Sequence, residues 1–160
     1  MRRPIVPIAI ALALVSGVVL AETRRVVLVP TVGLDGDPRA DANATLIERF
    51  YAAVNEVLAT GEEAALAAVV DAELIAHPAR PGVTPDRAGF VRALRALRAT
   101  APAMRLVVLD VVAQGDRVAA RVGIAGGDGT TFLGRPLVAD QLWGAVDVFR
   151  VAAGRVVEYW

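Results

Sequence analysis

Apolar positions recur at spacings of three and four along the first half of the chain and at spacings of two along the second half, so helices should precede strands. In "DANATLIERFYAAVNEVLATG" the residues Ile47, Phe50, Tyr51, Val54 and Leu58 form one apolar stripe of a helix. Thr45 and Glu48 have capping-box spacing, Asp41 is an earlier N-cap candidate, and Gly61 is placed to end the helix. "EEAALAAVVDAEL" predicts a second helix that opens on acidic residues, where the helix dipole favours them, and His77-Pro78 breaks it. "RPGVTPDRAGFVRALRALRATAP" predicts a third, with Thr84 as N-cap, Pro85 at the first helical position and Asp86 in the first turn. Phe90, Leu94 and Leu97 make its buried stripe, while Arg87, Arg92, Arg95 and Arg98 read as a solvated face. From Met104 the period falls to two. "MRLVVLDVVAQGDRVAARVGIAGG" predicts two strands joined at Gln114-Gly115-Asp116, and "LWGAVDVFRVAAGRVVEYW" two more joined around Ala153-Gly154. Between them, "DGTTFLGRPLVADQ" carries Gly and Pro signals of a loop or bent edge strand. Helices followed by antiparallel strands predict an α+β domain with the helices on one face of the sheet.

The 160 residues suit one domain. "MRRPIVPIAIALALVSGVVLA", residues 1–21, has two arginines, an uncharged apolar run and small residues at Val19 and Ala21, the pattern of a cleaved signal peptide. An uncleaved membrane anchor is the alternative, because the run is close to the roughly 18 residues a span requires. Residues 22–41 read as a linker and 42–160 as the folded domain. The expected location is secreted or periplasmic, in the cell envelope, with membrane contact only through an uncleaved N-terminal segment. There is no cysteine, so the fold stands without disulfides. Seventeen basic residues balance seventeen acidic ones, and losing Arg2 and Arg3 leaves 15 against 17, a net charge of −2. That balance argues against a nucleic-acid partner. One histidine and no cysteine argue against a transition-metal site, and no cofactor is expected.

The order of these elements, with "ERFYAAVN", "DAELIAHPARPG", "FVRALRALRATAP", "VVAQGDRVAARV", "FLGRP" and "VDVFRVAAGRVVEYW", resembles the SnoaL-like polyketide cyclase family of the NTF2-like superfamily. The resemblance spans about residues 45 to 160. It implies a cone: three N-terminal helices packed on a strongly curved, mostly antiparallel sheet enclosing an apolar pocket. It also implies chemistry, since cyclases of the family close a ring by intramolecular aldol condensation without metal or cofactor. Relatives in the superfamily isomerise, hydrate, dehydrate or only bind.

An aldol cyclisation needs a base for a proton beside a carbonyl and a donor for the enolate oxygen. Asp147 matches the family's acid/base aspartate in the D-x-F-R motif. Alternation puts Ala145, Asp147, Phe149 and Val151 on one face of their strand, and Val146, Val148 and Arg150 on the other. The competing reading pairs Asp147 across the sheet with an arginine such as Arg121, and Arg150 reads as an ion-pair partner. The family's second catalytic position, a histidine before F-L-G, falls near Asp128 here. An aspartate does not supply an imidazole's donor at neutral pH unless protonated. His77, the only histidine, is the second catalytic candidate, against a helix-end cap or structural group. Phe50, Tyr51, Phe90, Trp143, Phe149 and Trp160 are the candidate pocket walls, with core packing as the plainer reading. These residues lead to an exported domain that binds a small apolar, carbonyl-bearing molecule. Cofactor-independent acid/base catalysis of aldol cyclase, isomerase or hydrolase type would follow from Asp147. The alternative is a non-catalytic ligand-binding or dimerisation module, and a homodimer is expected.

Overall fold

A computed structural model of the chain describes residues 32–33, 37–77, 84–126, 131–132, 135–137 and 143–160. The predicted leader and Asp128 lie outside the described residues, as does the side chain of Trp143. Among the described residues no helix is long and apolar enough to cross a membrane.

The first strand, β1 (Val32–Gly33), is followed by helix α1 (Pro38–Thr60). Asp37 caps α1, its carboxylate accepting the Arg39 N–H at 2.9 Å, and Pro38 takes the first helical position, where its missing N–H costs nothing. The helix therefore begins inside the stretch that the sequence assigns to a linker. Thr45 lies within it and donates to the Asp41 carbonyl rather than capping. The predicted stripe is the buried one: Ile47, Phe50, Tyr51, Val54 and Leu58 all sit in the core. Gly61 ends α1 in the left-handed conformation that favours glycine, with φ +87°.

Helix α2 (Ala64–Val69) is shorter than its sequence pattern suggests, because the chain turns extended at Val70 and becomes β2 (Val70–Ala76). Val70 is fully buried and pairs with Val156, so a long-range strand contact overrides the local helical pattern. Helix α3 (Arg87–Thr100) starts two residues later than predicted. Asp86 is the N-cap, accepting the Gly89 N–H at 2.7 Å, while Thr84 donates to Asp86 at 2.6 Å. The arginines of α3 are not merely solvated. Arg95 donates to the Gly61 carbonyl and Arg98 to that of Ala59, bringing positive charge to an α1 C-terminus that has no basic residue of its own.

The remaining strands are β3 (Arg105–Gln114), β4 (Arg117–Ala125), β5 (Thr131–Phe132), β6 (Arg135–Pro136), β7 (Trp143–Ala152) and β8 (Arg155–Tyr159). Among the described residues, six of the eight strands form one sheet in the order β1-β3-β4-β7-β8-β2; β5 and β6 pair separately. The centre is antiparallel, and the two edge pairs, β1 with β3 and β2 with β8, are parallel. The β3–β4 turn has positive φ at Gly115, and the β7–β8 turn has it at both Ala153 and Gly154.

Two register shifts shape the sheet. Val108 faces Val122 but Asp110 faces Arg121, so Leu109 is an extra residue in β3. Arg150 faces Glu158 while Val151 faces Val156, so Val157 is an extra residue in β8. Each bulge bends its strand and increases its twist. Helices α1 and α3 lie on the inner face, where Val118, Ala120, Val122 and Phe149 complete the core.

Candidate active site

Asp147 stands in the middle of β7, and its neighbours obey the predicted alternation. Phe149 is 0% exposed and faces the helices, whereas Val146 is 65% and Val148 37% exposed on the outer face. Asp147 thus points inward with Phe149. Opposite it on β4 is Ala120, a buried residue too short to cover the carboxylate.

Tyr51 of α1 covers it instead. Its hydroxyl donates to Asp147 Oδ2 at 2.5 Å, across 96 residues of sequence. Tyr159 of β8 donates a second hydrogen bond to the same carboxylate. Desolvation raises the Asp147 pKa above its ordinary 3.8, and the two phenolic donors offset only part of that rise by favouring the charged form. Burial, then the neighbouring carboxylate, push the Tyr51 hydroxyl upward, so it remains protonated and remains a donor.

An aromatic cluster surrounds the pair. Phe50 meets Phe149 edge-on at 5.1 Å and Tyr51 at 5.2 Å, and it stacks on Phe90 at 5.9 Å. Tyr159 lies 5.4 Å from Phe149 and 5.6 Å from Phe90. Phe50, Tyr51 and Phe149 are enclosed by these contacts and form solid core rather than the exposed wall of a pocket. Phe90 and Tyr159 are half-buried, as are Ala145, Leu106 and Val108, which also pack against the core. These half-buried side chains are apolar apart from the Tyr159 phenol, and Asn55 of α1 holds the Leu106 backbone beside them.

The structure separates the other candidates from this site. His77 follows β2, its ring Nε2 3.1 Å from Glu158 Oε1, and Arg150 holds the other Glu158 oxygen at 2.8 Å. Glu158 and Tyr159 are successive strand residues, so His77 sits on the opposite face of the sheet from Asp147. Trp160 is on the outer side too. It stacks on His77 at 5.1 Å and an interplanar angle of 5°, with Arg117 5.1 Å from its ring centre. Arg121 pairs with Asp110 at 2.7 Å, not with Asp147. No group of metal-ligating side chains occurs among the described residues.

Sequence reasoning missed Tyr159 altogether and Tyr51 as the partner of Asp147. For Tyr51 the signal was its place on the inward stripe of α1. For Tyr159 no local signal existed, because the Val157 bulge decides its face. In an unbroken hairpin closing at Ala153-Gly154, Phe149 would face Glu158; the bulge brings Tyr159 opposite Phe149 instead.

The model of the SnoaL-like polyketide cyclase family matches residues 46–160. Among solved structures, IdmH from Streptomyces antibioticus, named as a candidate polyketide cyclase, is 25% identical with a TM-score of 0.60, over 74% of this chain and 88% of its own. TsrD from Streptomyces laurentii is 26% identical with a TM-score of 0.58, over 74% of this chain and 85% of its own. A candidate polyketide cyclase from Bacillus cereus shares the fold at 24% identity, with a TM-score of 0.60 over 76% of this chain and 73% of its own. No curated protein matches the sequence.

Proposed function

The chain belongs to the SnoaL-like polyketide cyclase family, and from that premise we propose that it binds a small apolar, carbonyl-bearing molecule and uses Asp147 as a general base on it. The observation that carries this reading is the Asp147 carboxylate, half-buried on the inner face, raised in pKa by desolvation and oriented by Tyr51 at 2.5 Å. A carboxylate raised in this way is better matched to abstracting a proton beside a carbonyl near neutral pH. The half-buried apolar residues around it suit an apolar ligand body. The reaction takes a proton from carbon and leaves an enolate, the step common to aldol cyclisation and isomerisation. The Arg2–Arg3 leader pattern adds export to the proposal, which places the substrate outside the cytoplasm.

Asp147→Asn tests the catalytic role. The ligand is first identified by native mass spectrometry on protein taken from its own envelope fraction. The variant should fold and retain that ligand while turnover falls by about 10²–10⁴-fold. Unchanged turnover would refute the base assignment. Retained binding with no turnover by the wild type would favour the non-catalytic binding module. A homodimer is the second proposal, supported by the exposed valines of the outer sheet face, Val112, Val146 and Val148.

A further inference from the structure

Two phenols converge on one carboxylate: Tyr51 from α1 and Tyr159 from β8 both donate to Asp147. Each phenol has a single proton to give. While Asp147 is ionised, both protons are directed at its oxygens, and neither tyrosine has one left for a ligand. Proton uptake changes the count. A neutral carboxylic acid has one O–H to donate, and its carbonyl oxygen still accepts. One phenol therefore continues to donate to Asp147, while the other accepts from it and turns its own proton elsewhere.

The surroundings decide which phenol is released. Tyr51 is 2% exposed, packed edge-on against Phe50 and Phe149, and presents no surface to a ligand. Tyr159 is half-buried, its ring 5.6 Å from that of the half-buried Phe90. We propose that Tyr159 is the second catalytic group of the site, donating to the ligand's oxygen once Asp147 has taken a proton, and that Tyr51 is the positioning residue that holds the carboxylate throughout. This rests on the general-base function proposed for Asp147.

The step balances. The ligand's C–H bond breaks and its proton forms an O–H bond on Asp147. The C–H electron pair becomes the enolate C=C, and the carbonyl π pair moves onto oxygen. Asp147 O–H then donates to the Tyr159 oxygen, and Tyr159 O–H donates to the enolate oxygen. Donor strength at that oxygen thus appears only as charge develops there, which favours the transition state over the ground state. It also supplies the donor that Asp128, standing near the family's histidine position, does not.

p-Nitrophenolate tests the assignment, since its charged oxygen resembles an enolate's and its absorbance reports hydrogen bonding. Asp147→Asn imitates the protonated acid, with an amide N–H in place of the carboxyl O–H. In that background, adding Tyr159→Phe should weaken p-nitrophenolate binding by about tenfold or more, the worth of a hydrogen bond to a charged group. With Asp147 intact at neutral pH, Tyr159→Phe should change binding by less than about threefold, because its proton is engaged elsewhere. Equal effects in the two backgrounds, or no effect in Asp147→Asn, would overturn the donor role alone. Failure of the Asp147→Asn variant to bind the probe would also overturn the donor role, whereas the general-base function stands or falls separately on the turnover of Asp147→Asn. Carbon-13 NMR titration reads the positioning role without any ligand. Tyr51→Phe should raise the Asp147 midpoint, and an unmoved midpoint in a folded variant would overturn that part.

Discussion

Asp147 and Glu158 are carboxylates on opposite faces of one sheet, and their surroundings push them in opposite directions. Desolvation raises Asp147; the hydrogen bond from Arg150, then that from His77, lowers Glu158 below its ordinary 4.5. A raised folded pKa means that the unfolded chain releases the Asp147 proton first, so this group's contribution to stability falls as pH rises above 3.8. Asp147→Asn should therefore melt higher than wild type at about pH 7, with the difference gone at about pH 3. Glu158 works the other way: its contribution is present above 4.5 and is lost as pH falls through its depressed value. Glu158→Gln should melt lower than wild type near neutrality and equal it in acid. Thermal melts at both pH values check each variant, and matching profiles for the two would contradict the opposed environments. Asp147's face was legible from period-2 alternation, because neighbouring side chains on a strand point oppositely whatever the fold. Its partners were not, since Tyr51 lies 96 residues away.

At the scale of elements, single residues at turns, caps and bulges set the outcome. Gly89 lies in the first turn of α3, where a Cβ would come within 1.8 Å of the Thr84 carbonyl oxygen. Gly89→Ala should destabilise by about 1–3 kcal/mol in denaturant unfolding, although alanine is the better helix former. Ala153 has φ +49° in the β7–β8 turn, a conformation strained for an L-residue with a Cβ. Ala153→Asn should stabilise by about 0.5–1 kcal/mol, since Asn tolerates the left-handed region that this hairpin turn requires. The helical stripes and most strands were readable because their periods are local. The end of α2 was not, since the Val70–Val156 pairing that draws the chain into β2 spans most of the domain. The α3 start was misplaced for a smaller reason: Thr84 and Asp86 both have capping side chains, and only the geometry shows which one accepts the Gly89 N–H.

At the scale of the whole molecule, the described helices lie on the inner side of the sheet, and among the described residues nothing covers Val112, Val146 and Val148 on the outer side. Val112, Ala119 and Val148 form a row across β3, β4 and β7, extended by Trp160, whose backbone pairs with Val148. Two charge pairs on this face are internal to the chain, Asp110 with Arg121 and Arg150 with Glu158, which leaves apolar side chains between them for contact. If copies associate there, Val146→Glu should convert the wild-type dimer to monomer in sedimentation velocity; a monomeric wild type would refute the homodimer proposal. The NTF2-like α+β fold follows from the element order, and the family match over residues 46–160 agrees with it. What the sequence determined by itself was local in origin: the helix stripes, the strand alternation and the face that Asp147 shares with Phe149 all follow from side-chain spacing along the backbone. Only the tertiary structure decided that Tyr51 and Tyr159 meet Asp147 while His77 and Trp160 lie behind the sheet. The physical reason is strand register. One extra residue, Val157, exchanges the faces of Glu158 and Tyr159, and it places a phenol instead of a second carboxylate beside the base.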